Sequence, residues 1–156
     1  MLVRDIMTEN VKACRPDTNL AQAAALMWEG DCGVLPVVDD GGKVIGIITD
    51  RDIAIALGTN NKPATEIQVS RVMSQPVFSC HPDDDIHAAL ELMRKDKVRR
   101  LPIISDNGML LGILSMNDVA LHAEKSDTAD LTYEDVVNTM KAICEHRPRQ
   151  VKGTTA

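Results

Sequence analysis

The chain is written twice. Displacing the sequence by 66 positions sets Met7 on Met73, Val11 on Val77, Cys14 on Cys80 and Pro16-Asp17 on Pro82-Asp83. The same shift sets Leu26-Met27 on Leu92-Met93, Leu35-Pro36 on Leu101-Pro102, Gly46-Ile47 on Gly112-Ile113 and Asp52 on Asp118. No gap is needed between residues 3 and 54. A self-similar unit of this length does not bury its apolar face alone and packs on its copy. Two copies related by a pseudo-twofold axis also present two related clefts. The repeat therefore constrains function as well as fold.

Each copy predicts the same elements. Pro16-Asp17-Thr18-Asn19 opens a helix with Leu20, Ala23, Ala24 and Met27 on one face, and the copy opens at Pro82-Asp83 with Ile86, Ala89, Leu90 and Met93. That spacing is i, i+3, i+4, i+7. Leu35-Pro36-Val37-Val38 and Val44-Ile45-Gly46-Ile47-Ile48 flank Asp39-Asp40-Gly41-Gly42 as a hairpin. Leu101 to Ile104 and Leu110 to Leu114 repeat it around Asp106-Asn107-Gly108. A helix follows from about Asp50 and again from about Met116. With a leading strand near Val11 to Cys14, or Val77 to Cys80, the unit is strand, helix, strand, strand, helix. The expected division is 1–58 for the first repeat, 59–68 for a linker and 69–125 for the second repeat. Residues 126–156 are left for a further helix and a basic tail. Thr132 and Asp135 have capping-box spacing for that helix. Tyr133, Val136, Val137, Met140 and Cys144 are expected along one side of it.

Composition narrows the function. A chain of 156 residues buries enough surface to fold without a disulfide or metal. It holds one Trp, one Tyr and one Phe, so its core is aliphatic and it lacks the aromatic platforms that stack single-stranded nucleic acid. The net charge of −6 opposes a broad grip on nucleic acid or an acidic membrane. Cys14, Cys32, Cys80 and Cys144 have no CxxC spacing, and no metal is expected. With no signal-peptide pattern and no long apolar run, the expected location is cytoplasmic. His81 and His87 read as surface residues.

Two motifs carry the candidate chemistry. Thr49 and Asp52 end the first hairpin as Ser115 and Asp118 end the second, each following a Gly-x-x-hydroxyl pattern. A hydroxyl three residues before Asp is a capping box, which alone explains the spacing. The alternative is a ribose site, because a carboxylate accepts hydrogen bonds from both hydroxyls of a diol. Gly46 and Gly112 would then admit a flat ring against the backbone. The second motif is Arg99-Arg100 entering a buried strand, where the first repeat has Gly33-Val34. The arginines either pair with nearby carboxylates such as Asp96 or hold a phosphate. Cys14 and Cys80 are equivalent positions. They read either as buried thiols or as a redox pair meeting across the pseudo-twofold.

The ordered motifs, from Asp5-Ile6-Met7-Thr8 and Arg71-Val72-Met73-Ser74 to the two Gly-x-x-Ser/Thr-x-x-Asp endings, resemble a tandem pair of CBS domains, named after cystathionine β-synthase. The resemblance spans about Val3 to Leu121 and points to the stand-alone bacterial or archaeal type. It implies an α/β (α+β) fold of two repeats packed about a pseudo-twofold axis. It also implies a non-catalytic regulatory module that binds an adenosine ligand: AMP, ADP, ATP, NAD or S-adenosylmethionine. By the same resemblance, Thr49 and Asp52 hold ribose and phosphate in one cleft, and Ser115 and Asp118 in the other. Arg100, with Arg99 beside it, holds phosphate, and the strands at Val11 and Val77 border the adenine. Val34 stands where Arg100 does, so the clefts are not equivalent. The family pairs such modules into a homodimer, for which Ile53 and Leu57 are candidate contacts, and a partner protein reads the occupancy. The alternatives are a ligand-free interaction scaffold and a thiol sensor.

Overall fold

The computed structural model describes residues 1–146, so the expected basic tail from Arg147 onward lies outside the described residues. The fold is mixed α/β, with two antiparallel sheets and five α-helices among the described residues. In the first repeat, α1 (Leu20–Glu29) precedes the hairpin β2 (Val34–Val38) and β3 (Val44–Thr49), and α2 (Asp50–Thr59) follows. In the second, α3 (Ile86–Asp96), β4 (Arg100–Ile104), β5 (Leu110–Ser115) and α4 (Met116–His122) recur in that order. The final helix is α5 (Tyr133–Cys144). One further strand, β1 (Thr8–Glu9), lies near the N-terminus.

The caps follow local chemistry. The Asn19 side chain accepts from the Gln22 N–H at the start of α1, and Asp85 accepts from the His87 N–H at the start of α3. Leu20, Ala23 and Met27 of α1 are buried, but Ala24 is exposed. All four expected positions of α3 are buried. The expected linker is partly ordered. A 3-10 turn spans Ala64–Glu66, and Ile67 enters the first core.

The opening segments trade places. Val3 and Ile6 pack in the core of the second repeat with Ile86, Leu90, Leu101 and Leu114. Val69 packs in the core of the first repeat with Leu20, Leu35 and Ile48. The backbone repeats the exchange in register. Val3 N donates to Asp84 O at 2.9 Å, and Val69 N donates to Thr18 O at 2.8 Å. Thr8 and Glu9 then pair with Ile113 and Gly112 of the second sheet, as Ser74 bridges Ile47 of the first. Each repeat thus completes the other's core. Burying a side chain such as Val3 contributes about 1.5–3 kcal/mol.

This exchange corrects the expected leading strands. The chain at Val11 to Cys14 makes no regular strand, and Cys14 meets its own hairpin in a single parallel bridge to Val37. Cys80 does the same with Ile103. One strand cannot pair with the other repeat's sheet and then its own without a turn between. Asn10, at φ 53°, supplies the turn in the first copy, while Pro76 has no N–H to extend pairing in the second.

The glycines are also explained differently from the sequence reading. A Cβ on Gly112 would lie 2.5 Å from the Thr8 carbonyl oxygen, and one on Gly46 would lie 2.6 Å from the Met73 sulfur. They admit the crossing segments, and no flat ring is needed to account for them. Two further expectations change. Ile53 is buried in the first core and is not on the exposed side of α2, whereas Leu57 is exposed there beside Ile55. On α5, Val136, Met140 and Ile143 pack on the second core and Thr139 is fully buried, while Tyr133, Val137 and Cys144 face outward.

Candidate functional site

The two hydroxyl–carboxylate motifs are capping boxes. Thr49 Oγ1 accepts from Asp52 N at 3.2 Å, and an Asp52 carboxylate oxygen accepts from Thr49 N at 2.9 Å. Ser115 N and Ser115 Oγ donate to Asp118 Oδ2 at 2.7 and 2.6 Å. A third box with the same arrangement starts α5, where Thr132 N and Oγ1 donate to Asp135 Oδ2 at 2.9 and 2.7 Å. That one follows no hairpin, so the box alone does not mark a ligand site.

Asp118 differs through its second oxygen, Oδ1, which accepts from Thr8 Oγ1 at 3.0 Å. Thr8 is brought there by β1 crossing to β5. Beside them, Arg100 pairs directly with Ser115 in the β4–β5 ladder, which puts both side chains on one face of the sheet. Arg100, Ser115, Asp118, Thr8 and Val11 line one cleft of about 420 Å³. Its remaining wall comes from the first repeat, at Lys12 and the segment from Gly30 to Val34. The volume lies in the range of small-molecule sites.

Arg100 is half-buried and makes no side-chain hydrogen bond or ion pair with another described residue. A guanidinium drawn partly out of water without a counter-ion favours an anion in the space beside it. Of the two alternatives for Arg100, a carboxylate partner is therefore not found among the described residues.

Among the expected site residues, Val11, Arg100, Ser115 and Asp118 converge. Arg99 is exposed and does not line this cleft, nor does Val77. Thr49 and Asp52 cap α2 at the pseudo-equivalent place in the first repeat, paired through Thr49 with Val34. Sequence reasoning missed Thr8, Asn10, Lys12 and Asp31 as lining residues. The repeated hydroxyl at Thr8 and Ser74 was an available signal for the first of these. Nothing local marks Asp31.

Cys14 and Cys80 lie in separate cores, and neither forms a disulfide. Burial pushes both thiols up to about 11, with the Asp84 charge adding to the effect at Cys80. At neutral pH they are almost wholly protonated and therefore poor nucleophiles. No group of three or more His, Cys, Asp or Glu side chains among the described residues is placed to hold a metal. No helix among them is long and apolar enough to cross a membrane.

The family model for the CBS domain matches residues 3–59 and 69–125. The chain belongs to the CBS domain family. Over 127 residues it is 35% identical to the CBS domain-containing protein YhcV of Bacillus subtilis, covering 81% of this chain and 89% of that protein. It is similar in structure to the CBS domain pair of protein MJ0100 in complex with 5′-methylthioadenosine and S-adenosyl-L-methionine. There the TM-score is 0.71 at 28% identity, over 78% of this chain and 94% of the other. It is also similar to CBSX2 in complex with AMP, with a TM-score of 0.65 at 27% identity, over 77% of this chain and 93% of that one. The exchange of opening segments and the doubled capping boxes are therefore the two CBS units of one pair.

Proposed function

We propose that this CBS pair is a non-catalytic regulatory module that binds an adenosine ligand in the cleft of Arg100, Ser115 and Asp118 and relays its occupancy to a partner protein. The observation that carries the reading is the half-buried Arg100, without a side-chain partner among the described residues, facing the same space as the Asp118 carboxylate. In it, Asp118 Oδ1 exchanges its bond from Thr8 for the ribose hydroxyls, and Arg100 takes the neighbouring phosphate. The adenine lies along the backbone near Val11. The adenosine ligands of MJ0100 and CBSX2 support the chemical class. The Thr49–Asp52 motif, with Val77, Arg99 and the first hairpin, is the counterpart for a second, non-equivalent cleft.

The relay follows from where the walls come from. One wall belongs to the first repeat and the other to the second, so a ligand filling the space favours one arrangement of the two. Its effect on a partner is bounded by its differential affinity for the two arrangements. A homodimer through the exposed apolar residues of the short helices, Ile55 and Leu57 on α2 and Leu121 on α4, belongs to the same reading. Light scattering giving the mass of one chain, with and without AMP, would remove that part.

The experiment for the whole is direct. The purified protein is stripped in acid, the released small molecules are identified by mass spectrometry, and thermal melts are recorded with adenine and pyrimidine nucleotides. A ligand that binds only the folded state stabilises it by about 2.7 kcal/mol at a hundredfold excess over its Kd. A flat response to every adenine nucleotide at millimolar concentration would leave the scaffold reading, which the exposed Trp28 (87%) favours.

A further inference from the structure

We infer that the Arg100–Asp118 cleft accepts an adenosine ligand bearing a single phosphate group and rejects di- and triphosphates, and that Asp31 sets this limit. The inference rests on the proposed function and concerns which member of the ligand class the cleft admits. The cleft's charged side chains are Arg100 and Lys12 against Asp118 and Asp31. Lys12 Nζ already lies 3.6 Å from a Glu29 carboxylate oxygen, which leaves Arg100 as the cation without a described partner. Asp31 donates its backbone N–H to Trp28 O, but its exposed carboxylate makes no hydrogen bond or ion pair with another described residue, so its charge is not neutralised in place. One phosphate meets Arg100. A second or third adds charge to a space that already holds two carboxylates, and juxtaposed like charges repel.

The internal repeat gives an independent comparison. The residue equivalent to Asp31 in the second copy is Lys97. Both occupy the left-handed region, at φ 46° and φ 53°, so the same turn is built twice with opposite charge. Asn117, another lining residue, is matched by Arg51 in the other copy. The turn therefore does not require an acid at this place. Lys97 pairs with Glu145 at 3.3 Å, whereas the Asp31 carboxylate has no partner among the described residues and lines both the Arg100 cleft and the neighbouring groove beside Trp28.

The test is Asp31→Asn. Asn tolerates the left-handed conformation at least as well as Asp, so the backbone is retained while the charge is removed. Calorimetry compares AMP, ADP and ATP without magnesium, so that polyphosphate charge is not masked. Each protein is also made with Asp52→Asn, which separates any binding in the Thr49–Asp52 cleft. Asp31→Gly, equally compatible with positive φ, provides a second variant if the first melts early. In the parent protein, AMP is expected to bind about tenfold or more tightly than ATP, and either variant should narrow that gap by about threefold or more. A gap unchanged in both variants, or ATP binding as tightly as AMP in the parent, overturns the inference while the proposed function stands. Binding of no adenosine ligand at all overturns both.

Discussion

Thr8 Oγ1 donates to Asp118 Oδ1 at 3.0 Å across 110 residues of sequence, tying the opening of one repeat to the ending motif of the other. The bond holds the carboxylate at the mouth of the cleft. In the proposed reading a ribose uses the same oxygen, so a ligand and Thr8 compete for one acceptor. Loss of the Thr8 hydroxyl in Thr8→Val is therefore expected to leave adenosine affinity equal or higher, and to lower the melting temperature slightly. A hydrogen bond to a charged group contributes about 1.5–3 kcal/mol, and less where it is open to water, as at the exposed Thr8. Paired melts and calorimetry check both signs.

The capping and binding roles of Asp118 separate by substitution. Asp118→Asn is expected to cost about 0.5–2 kcal/mol through the weakened cap. If the carboxylate also grips a diol, adenosine affinity falls by about tenfold or more, since bonds to a charged group contribute about 1.5–3 kcal/mol. Arg100→Gln is expected to weaken AMP far more than adenosine, because it removes a charge-assisted contact to phosphate. Equal losses for the two ligands would mean that the phosphate lies elsewhere.

The two equivalent glycines are expected to respond unequally to alanine. A Cβ at Gly112 meets the Thr8 backbone, which cannot retreat without breaking the β1–β5 pairing. A Cβ at Gly46 meets the Met73 side chain, at its sulfur, Cγ and Cβ, which is flexible where the Thr8 backbone is not. Gly112→Ala should cost about 1–3 kcal/mol, in the range of overpacked cores, and Gly46→Ala clearly less. Urea melts of the two variants compare them, and equal losses would contradict the account.

Acid should loosen α5. Burial tends to raise the Asp135 carboxyl, but the hydroxyl and N–H of Thr132, with His87 nearby, outweigh it and hold the group below its ordinary value of 3.8. A carboxyl lowered in the folded state stabilises fully above its unfolded pKa. That contribution is lost as pH falls through the lowered folded value. The cap and its contact with α3 should therefore hold at neutral pH and fail only as pH drops below about 4. Hydrogen exchange along α5 should rise there, and Asp135→Asn should remove the pH dependence. Unchanged exchange in acid would show that packing of Val136, Met140 and Ile143 suffices.

Periodicity marked α1 and α3, turn chemistry marked both hairpins, and Thr132 with Asp135 marked the start of α5, because each signal acts within a few residues. The outward face of α5 was misread for the opposite reason. Tyr133 and Val137 are as apolar as their neighbours, and only the direction from which α3 approaches decides that Val136, Met140 and Ile143 are covered. Ile53, a candidate contact for a second copy by sequence, packs in the core beside Ala56 for the same reason.

The sequence by itself determined the doubled architecture and the residue types that can grip a ribose and a phosphate, since repetition and capping chemistry are local properties of the chain. Only the tertiary structure decided where they meet. Val3 and Val69 fill each other's cores, and that exchange carries Thr8 to Asp118 and sets Asp31 and Lys12 in one cleft with Arg100. Such contacts depend on the path of the backbone between the repeats. That path is chosen by burying apolar surface from both copies at once, and no short stretch of sequence records it.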